Sequence, residues 1–231
     1  MRLSPLKIAA HILALIPAIW LFWQGWLLYD FQDNALTANP IKYIHHYTGD
    51  WAIRFLLLGL AISPLRRITG WNRVITFRRM IGLYAFFYVM LHLLNFIVLD
   101  YYFDWATIIK EIIKRPAITF GMTAIILLLP LAVTSTKGWI RRLGKKWVKL
   151  HKLIYPITIL AVVHNFMMVK ADILQPAIHM AILAVLLSYR LYSWFLLRKK
   201  ASPANPKARR SKAVGSDVTT AAEKPCPPAM S

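Results

Sequence analysis

Six stretches of about 20 mostly apolar residues, the length a helix needs to cross the hydrocarbon core of a bilayer, recur at roughly 8–29, 46–64, 80–99, 117–135, 151–169 and 176–197. Nothing else in the chain restricts its fold so tightly. Of 231 residues, 58% are hydrophobic and only 16% charged, where a soluble domain carries about 25% charged residues; mean hydropathy is +0.49. One soluble core could not hide that much apolar surface. The expected fold is all-α: a polytopic bundle of six transmembrane helices over 1–197, then a basic tail at 198–231 with too few bulky apolar residues to order itself. The first run follows Arg2 and Lys7 as a secretory signal does. It continues through Trp20, Trp23 and Trp26 with no small-residue cleavage pattern, so it reads as a retained span whose tryptophans belong to an interfacial belt.

The net charge of +20 is unevenly placed. Arg66, Arg67, Arg73, Arg78 and Arg79 follow the second run, and Lys137, Arg141, Arg142, Lys145, Lys146, Lys149 and Lys152 lead into the fifth. Arg198, Lys199 and Lys200 follow the sixth, whereas the loop at 30–50 sets Asp30, Asp33 and Asp50 against Lys42 and the loop at 100–116 balances three acids with three bases. Basic loops stay on the cytoplasmic side, so both termini are expected there, close to anionic lipid. No stacking-plus-basic module accompanies the charge, and a nucleic-acid partner is not expected.

Cys226 is the one cysteine, which leaves no thiolate cluster and no motif for covalent haem attachment. Any metal cofactor is therefore expected on nitrogen or on weaker ligands. The histidines fall into two groups. His11, His45, His46 and His179 read as surface or interfacial residues, the pair at 45 and 46 within the loop at 30–50. His92 and His164 lie deep in the third and fifth runs, thirteen residues beyond Arg79 and twelve beyond Lys152. Both runs leave the cytoplasmic side, so the two imidazoles sit level, roughly 18–20 Å from the inner boundary. They read either as the axial ligands of one haem iron between helices of a bundle or as isolated polar residues each bonded to a neighbouring helix. Tyr84 and Tyr88, eight and four residues before His92, are expected on the same helix face.

His151 opens the same run as His164, roughly 20 Å away at 1.5 Å per residue, so one ion cannot bind both. Ideal helix leaves them about 140° apart in projection, and Pro156, lying between them, can kink or locally unwind the segment. At the level of His151 the third run offers Arg79. Arg54, within the second run, needs an anionic partner, either a cofactor carboxylate or a lipid phosphate. Arg54 and Arg79 are thus candidate cofactor contacts.

Three stretches, RRMIGLYAFFYVMLH (78–92), the run from Arg141 to His151 (RRLGKKWVKLH) and AVVH (161–164), carry a resemblance. The chain resembles the MsrQ family, the haem-binding membrane subunits of the bacterial periplasmic protein-methionine-sulfoxide reductase system, over residues 1 to about 197. The resemblance implies a ferric-reductase-like transmembrane b-type cytochrome of the bacterial inner membrane. It implies haem b, one or two per chain, with His92, His151 and His164 as iron ligands, and it implies FMN, although no phosphate-cradling glycine loop is visible. Electrons would come from the quinone pool or a cytoplasmic flavin reductase and pass to a periplasmic molybdopterin-containing partner that repairs methionine sulfoxide. Bulk reading agrees on one point: about 34 residues of tail cannot form a flavin and nicotinamide domain, which needs 50 or more, so the electron donor is expected to be another molecule. A transporter using His and Arg as a proton relay is the rival reading.

Overall fold

The computed structural model describes residues 5–31, 33–36, 38–169 and 173–201, with the backbone alone at 197–201. The tail beyond 201, Cys226 and Arg2 lie outside the described residues, as do the side chains of Arg198, Lys199 and Lys200. The chain divides into two compact units, 1–186 and 187–231; the cavity and the side chains around it belong to the first.

Every described element is helical. Helix α1 (Pro5–Tyr29) is followed by α2 (Pro40–Thr69), α3 (Arg78–Asn95), α4 (Trp105–Lys114) and α5 (Pro116–Val133). Two short helices, α6 (Lys137–Leu143) and α7 (Lys145–Leu150), lead through a 3₁₀ turn at His151–Leu153 into α8 (Ile154–Met168), and α9 (Leu174–Ala201) closes the described chain. Among the described residues, five segments are long and apolar enough to cross a membrane: Pro5–Tyr29, Asn72–Asp100, Pro116–Val133, Lys145–Met168 and Leu174–Leu196.

The second expected span is absent from that set for a physical reason. Helix α2 has 30 residues, about 45 Å of helix, but Lys42, His45, His46, Asp50, Arg54, Arg66 and Arg67 break its apolar run. Its ends are written into the sequence. The Asn39 side chain accepts the Lys42 N–H at 3.1 Å with Pro40 as first helical residue. At the other end Gly70, at φ 70°, turns its N–H onto the Arg66 carbonyl at 3.0 Å, a left-handed closure that glycine adopts without penalty. The segment expected as loop up to residue 50 is therefore the first three turns of α2, and this corrects the placement of His45 and His46.

Helix α2 packs most extensively on α3, and α5 on α8. Small residues, Ala14, Ala18, Ala52, Ala85 and Ala124, are buried where helices approach. Tyr88, fully buried, does not share a face with a site near His92 as expected: its hydroxyl donates to the Ala14 carbonyl at 2.8 Å and accepts the Ala18 N–H at 3.2 Å. Those groups are the two ends of one rung of α1 beside Pro17, so the tyrosine side chain ties α3 to the turn of α1 that carries the proline. Tyr84 likewise turns to α1 and meets His11 Nδ1 at 2.8 Å, which gives that exposed histidine a partner. Pro156 lies in the first turn of α8, where a missing N–H costs nothing, and the helix is locally tightened to a 3₁₀ turn at His151–Leu153 just before it.

Candidate cofactor site between two helix pairs

A cavity of about 960 Å³ opens between the α2–α3 pair and the α5–α8 pair. Its deep wall is apolar, with Ala52, Ile53 and Leu56 facing Ala124, Ile125 and Leu128. His92 and His164 enter from opposite pairs, their ring centroids 6.2 Å apart and their planes at 83°. The equal depth expected from sequence is thus realised as direct juxtaposition.

What fixes each ring is visible. His92 Nδ1 bonds the backbone carbonyl of His45 at 3.0 Å, and His164 Nδ1 bonds that of Ala117 at 2.6 Å. A carbonyl only accepts, so both Nδ1 atoms carry the proton and both Nε2 atoms keep a lone pair. Donating the other ring N–H to a carbonyl is how metal-bound histidines are usually held. Two imidazoles bound in line to one metal at about 2.0 Å place their centroids about 6 Å apart. Among the described residues no group of three or more His, Cys, Asp or Glu converges on one point, so the pair suits a metal whose remaining positions are filled by a flat macrocycle.

The cavity mouth is polar. Lys42, His45, His46, Asp50, Asp100 and Arg115 line it, so the two histidines read as surface residues are part of the site. The His45 ring packs on His92 at 4.0 Å. Its Nδ1 lies 3.3 Å from Asp100 Oδ2 and 3.0 Å from the Asn95 side-chain amide, while buried Asn95 Oδ1 is unpartnered as drawn. One nitrogen cannot both accept from Asn95 and donate to Asp100. Turning the amide so that Oδ1 and Asp100 both accept from His45 Nδ1–H removes that conflict and places the amide nitrogen where the oxygen had no partner. His179 is also not interfacial: it is 4% exposed and meets the Asn165 amide at 3.3 Å, which places a polar pair directly after His164.

The other expected site residues are elsewhere. His151 lies outside the cavity, stacked on Trp147 at 3.9 Å with Nδ1 on the Trp147 carbonyl at 3.2 Å. Its Nε2 is buried with no hydrogen-bond partner. Trp147 is itself held by its indole N–H on the Thr134 carbonyl at 3.0 Å. Arg54 lies over the Trp51 ring at 4.9 Å, and Arg79 is exposed; neither lines the cavity. Gly49 and Gly121, beside the two imidazoles, escaped the sequence reading altogether.

Helices of this length around such a cavity define a membrane protein, and the model of the ferric reductase like transmembrane component matches residues 48–162. The match takes in His92 and His151 and stops two residues before His164. Over a longer span the chain belongs to the MsrQ family. It is 51% identical over 205 residues to the protein-methionine-sulfoxide reductase heme-binding subunit MsrQ of Xanthomonas euvesicatoria pv. vesicatoria, covering 89% of this chain and 91% of that one. To the MsrQ of Xanthomonas campestris pv. campestris strain 8004 it is 48% identical over 207 residues, 87% of this chain and 95% of the relative. To that of Rhodospirillum rubrum it is 47% identical over 186 residues, 80% and 86% of the two chains. No solved structure matches.

Proposed function

We propose that this chain is a b-type cytochrome of the bacterial inner membrane that passes electrons to a periplasmic methionine sulfoxide reductase. One observation carries the reading: His92 and His164 face each other across an apolar cavity with Nδ1 of each pinned to a carbonyl. Haem b held there supplies a reversible one-electron iron couple. The chain's part is to orient two Nε2 lone pairs, keep water from the apolar wall and present a polar mouth toward the outer side. The unpartnered Nε2 of His151 supports an inner ligand near the cytoplasmic face, where a second haem would sit. Arg54 and Arg79 act on cofactor potential through their charge. Helix α2 serves as the sixth crossing, its polar turns shielded by α3 and the cavity, with both termini cytoplasmic. The donor is quinol or a separate flavin reductase, and the acceptor is a molybdopterin-containing subunit that repairs methionine sulfoxide, as the names of the relatives suggest for the last step.

The test is spectroscopic. Purified protein is expected to show a dithionite-reducible, low-spin b-type spectrum, abolished by His92→Ala or His164→Ala; a colourless protein active on a solute would establish the proton-relay transporter instead. Reoxidation of reduced protein by the periplasmic reductase plus methionine sulfoxide tests the partner, and flavin fluorescence released on denaturation tests FMN.

A further inference from the structure

The two imidazoles are seated by the same device, built twice. His45 and Ala117, the carbonyls that hold the rings, each stand 47 residues before the histidine they hold. Four residues after each carbonyl is a glycine: Gly49 on α2 and Gly121 on α5. A Cβ at Gly49 would lie 3.1 Å from Cε1 and Nδ1 of His92, and one at Gly121 would lie 2.9 Å from Cε1 and Nδ1 of His164. Shifting the sequence by 72 positions superposes Gly49 on Gly121, Ala52 on Ala124, Ile53 on Ile125, Leu56 on Leu128 and His92 on His164, and all ten residues line the cavity. The cavity wall is therefore a repeated pattern. Gly25, Gly82 and Gly138 have nothing within 4 Å of an added Cβ, so tight clearance is not a general property of the glycines here.

We infer that the site is a duplicated helix-pair seat in which Gly49 and Gly121 are positioning residues, setting the plane and Nε2 direction of His92 and His164 by letting each ring lie against helix backbone. This rests on the proposed ligation by His92 and His164. The carbonyl holds one edge of the ring and the bare Cα supports its flank, so an added methyl must turn the ring away from its 83° relation to the other. Near-perpendicular ligand planes leave the two iron dπ orbitals close in energy, which gives a strongly anisotropic low-spin ferric resonance. Ring orientation is thus readable without any assay of electron delivery.

The experiment compares Gly121→Ala, Gly49→Ala and Gly82→Ala in the purified full-length holoprotein by ferric electron paramagnetic resonance and by haem loss to an excess apoglobin scavenger. Gly121→Ala is expected to reduce the anisotropy and weaken haem retention by about ten- to a hundredfold, the range for disturbing the outer support of a ligating histidine. Gly49→Ala acts in the same direction and less, while Gly82→Ala matches the parent. If both seat variants keep the parental resonance and retention while His92→Ala and His164→Ala lose low-spin haem, the seats are refuted and the ligation stands. If the histidine variants also keep low-spin haem, the ligation itself is refuted. Should Gly121→Ala fail to accumulate in membranes, the double variant Gly121→Ala/His164→Ala decides: recovery of accumulation supports a clash with the ring, and no recovery overturns it.

Discussion

The cavity between the helix pairs and the surroundings of His151 hold the same side chain in opposite circumstances. At the cavity, each imidazole has a counterpart on another helix pair, a carbonyl fixing its tautomer and an apolar void before it. At His151, one ring is stacked on its own turn's tryptophan and no second histidine faces it among the described residues; the matching register position on α3 is Arg79, which is exposed. The difference teaches that depth alone does not make a site. Repetition of the α2–α3 pattern in α5–α8 brings two histidines together at the cavity, whereas the same shift of 72 residues brings His151 onto an arginine.

The largest effect that could break this contrast comes from exchanging roles. His164→Ala is expected to remove the low-spin spectrum outright, while His151→Ala leaves the spectrum of the outer pair in place and lowers haem per chain only where a second haem is bound. Full loss of the outer signal in His151→Ala would show that the two levels are one site. Next in size is Tyr88→Phe. It strips the hydroxyl that joins Ala14 O and Ala18 N, and leaving such buried groups unpaired costs about 1–3 kcal/mol, to be read as a lower thermal midpoint with the haem spectrum unchanged. A smaller effect belongs to Trp147→Phe. It keeps a ring against His151 but loses the bond to Thr134 O, a cost of about 1 kcal/mol, confined to the inner level.

Much of the cavity level is legible in the sequence because helical rise is fixed: counting from Arg79 and from Lys152 places His92 and His164 level, as their juxtaposition bears out. What remained hidden followed from judging helix limits by apolarity. Helix α2 begins at the Asn39–Pro40 cap, well before its apolar run, so His45 and His46, which apolarity alone places in a loop, ride on its early turns at the cavity mouth. Helix α4, with Ile108 buried under a short segment read as loop, was hidden for the same reason. Its cap, Asp104, was on view. Tyr88 shows the converse error: spacing along α3 said which residues share a stripe, but only packing against Pro17 said what the stripe faces. The seat glycines left a signal in the repeat at 72 residues, visible only when α2 is aligned on α5.

The smallest expected effect tests whether the outer rim belongs to the site or only borders it. Asp104 caps α4, accepting from the Thr107 hydroxyl at 2.6 Å and the Thr107 N–H at 3.1 Å, and these bonds, the hydroxyl's first, hold its carboxyl below the ordinary 3.8. A depressed carboxyl stabilises the fold above its unfolded pKa and loses that contribution as pH falls through the folded value. Hydrogen-exchange protection of the first turn of α4 is therefore expected to be constant at neutral pH and to decline only below about pH 4. Asp104→Asn keeps the acceptor but loses both the decline and the favourable charge at the helix N-terminus. Helix α4 reaches the cavity through Arg115, which pairs with Glu111 at 2.6 Å and lines the mouth. If α4 only borders the site, Asp104→Asn leaves the outer haem spectrum and potential at parental values from neutral pH to pH 4; a shift in either would make the rim part of the site and the contrast between levels less sharp than the seats suggest.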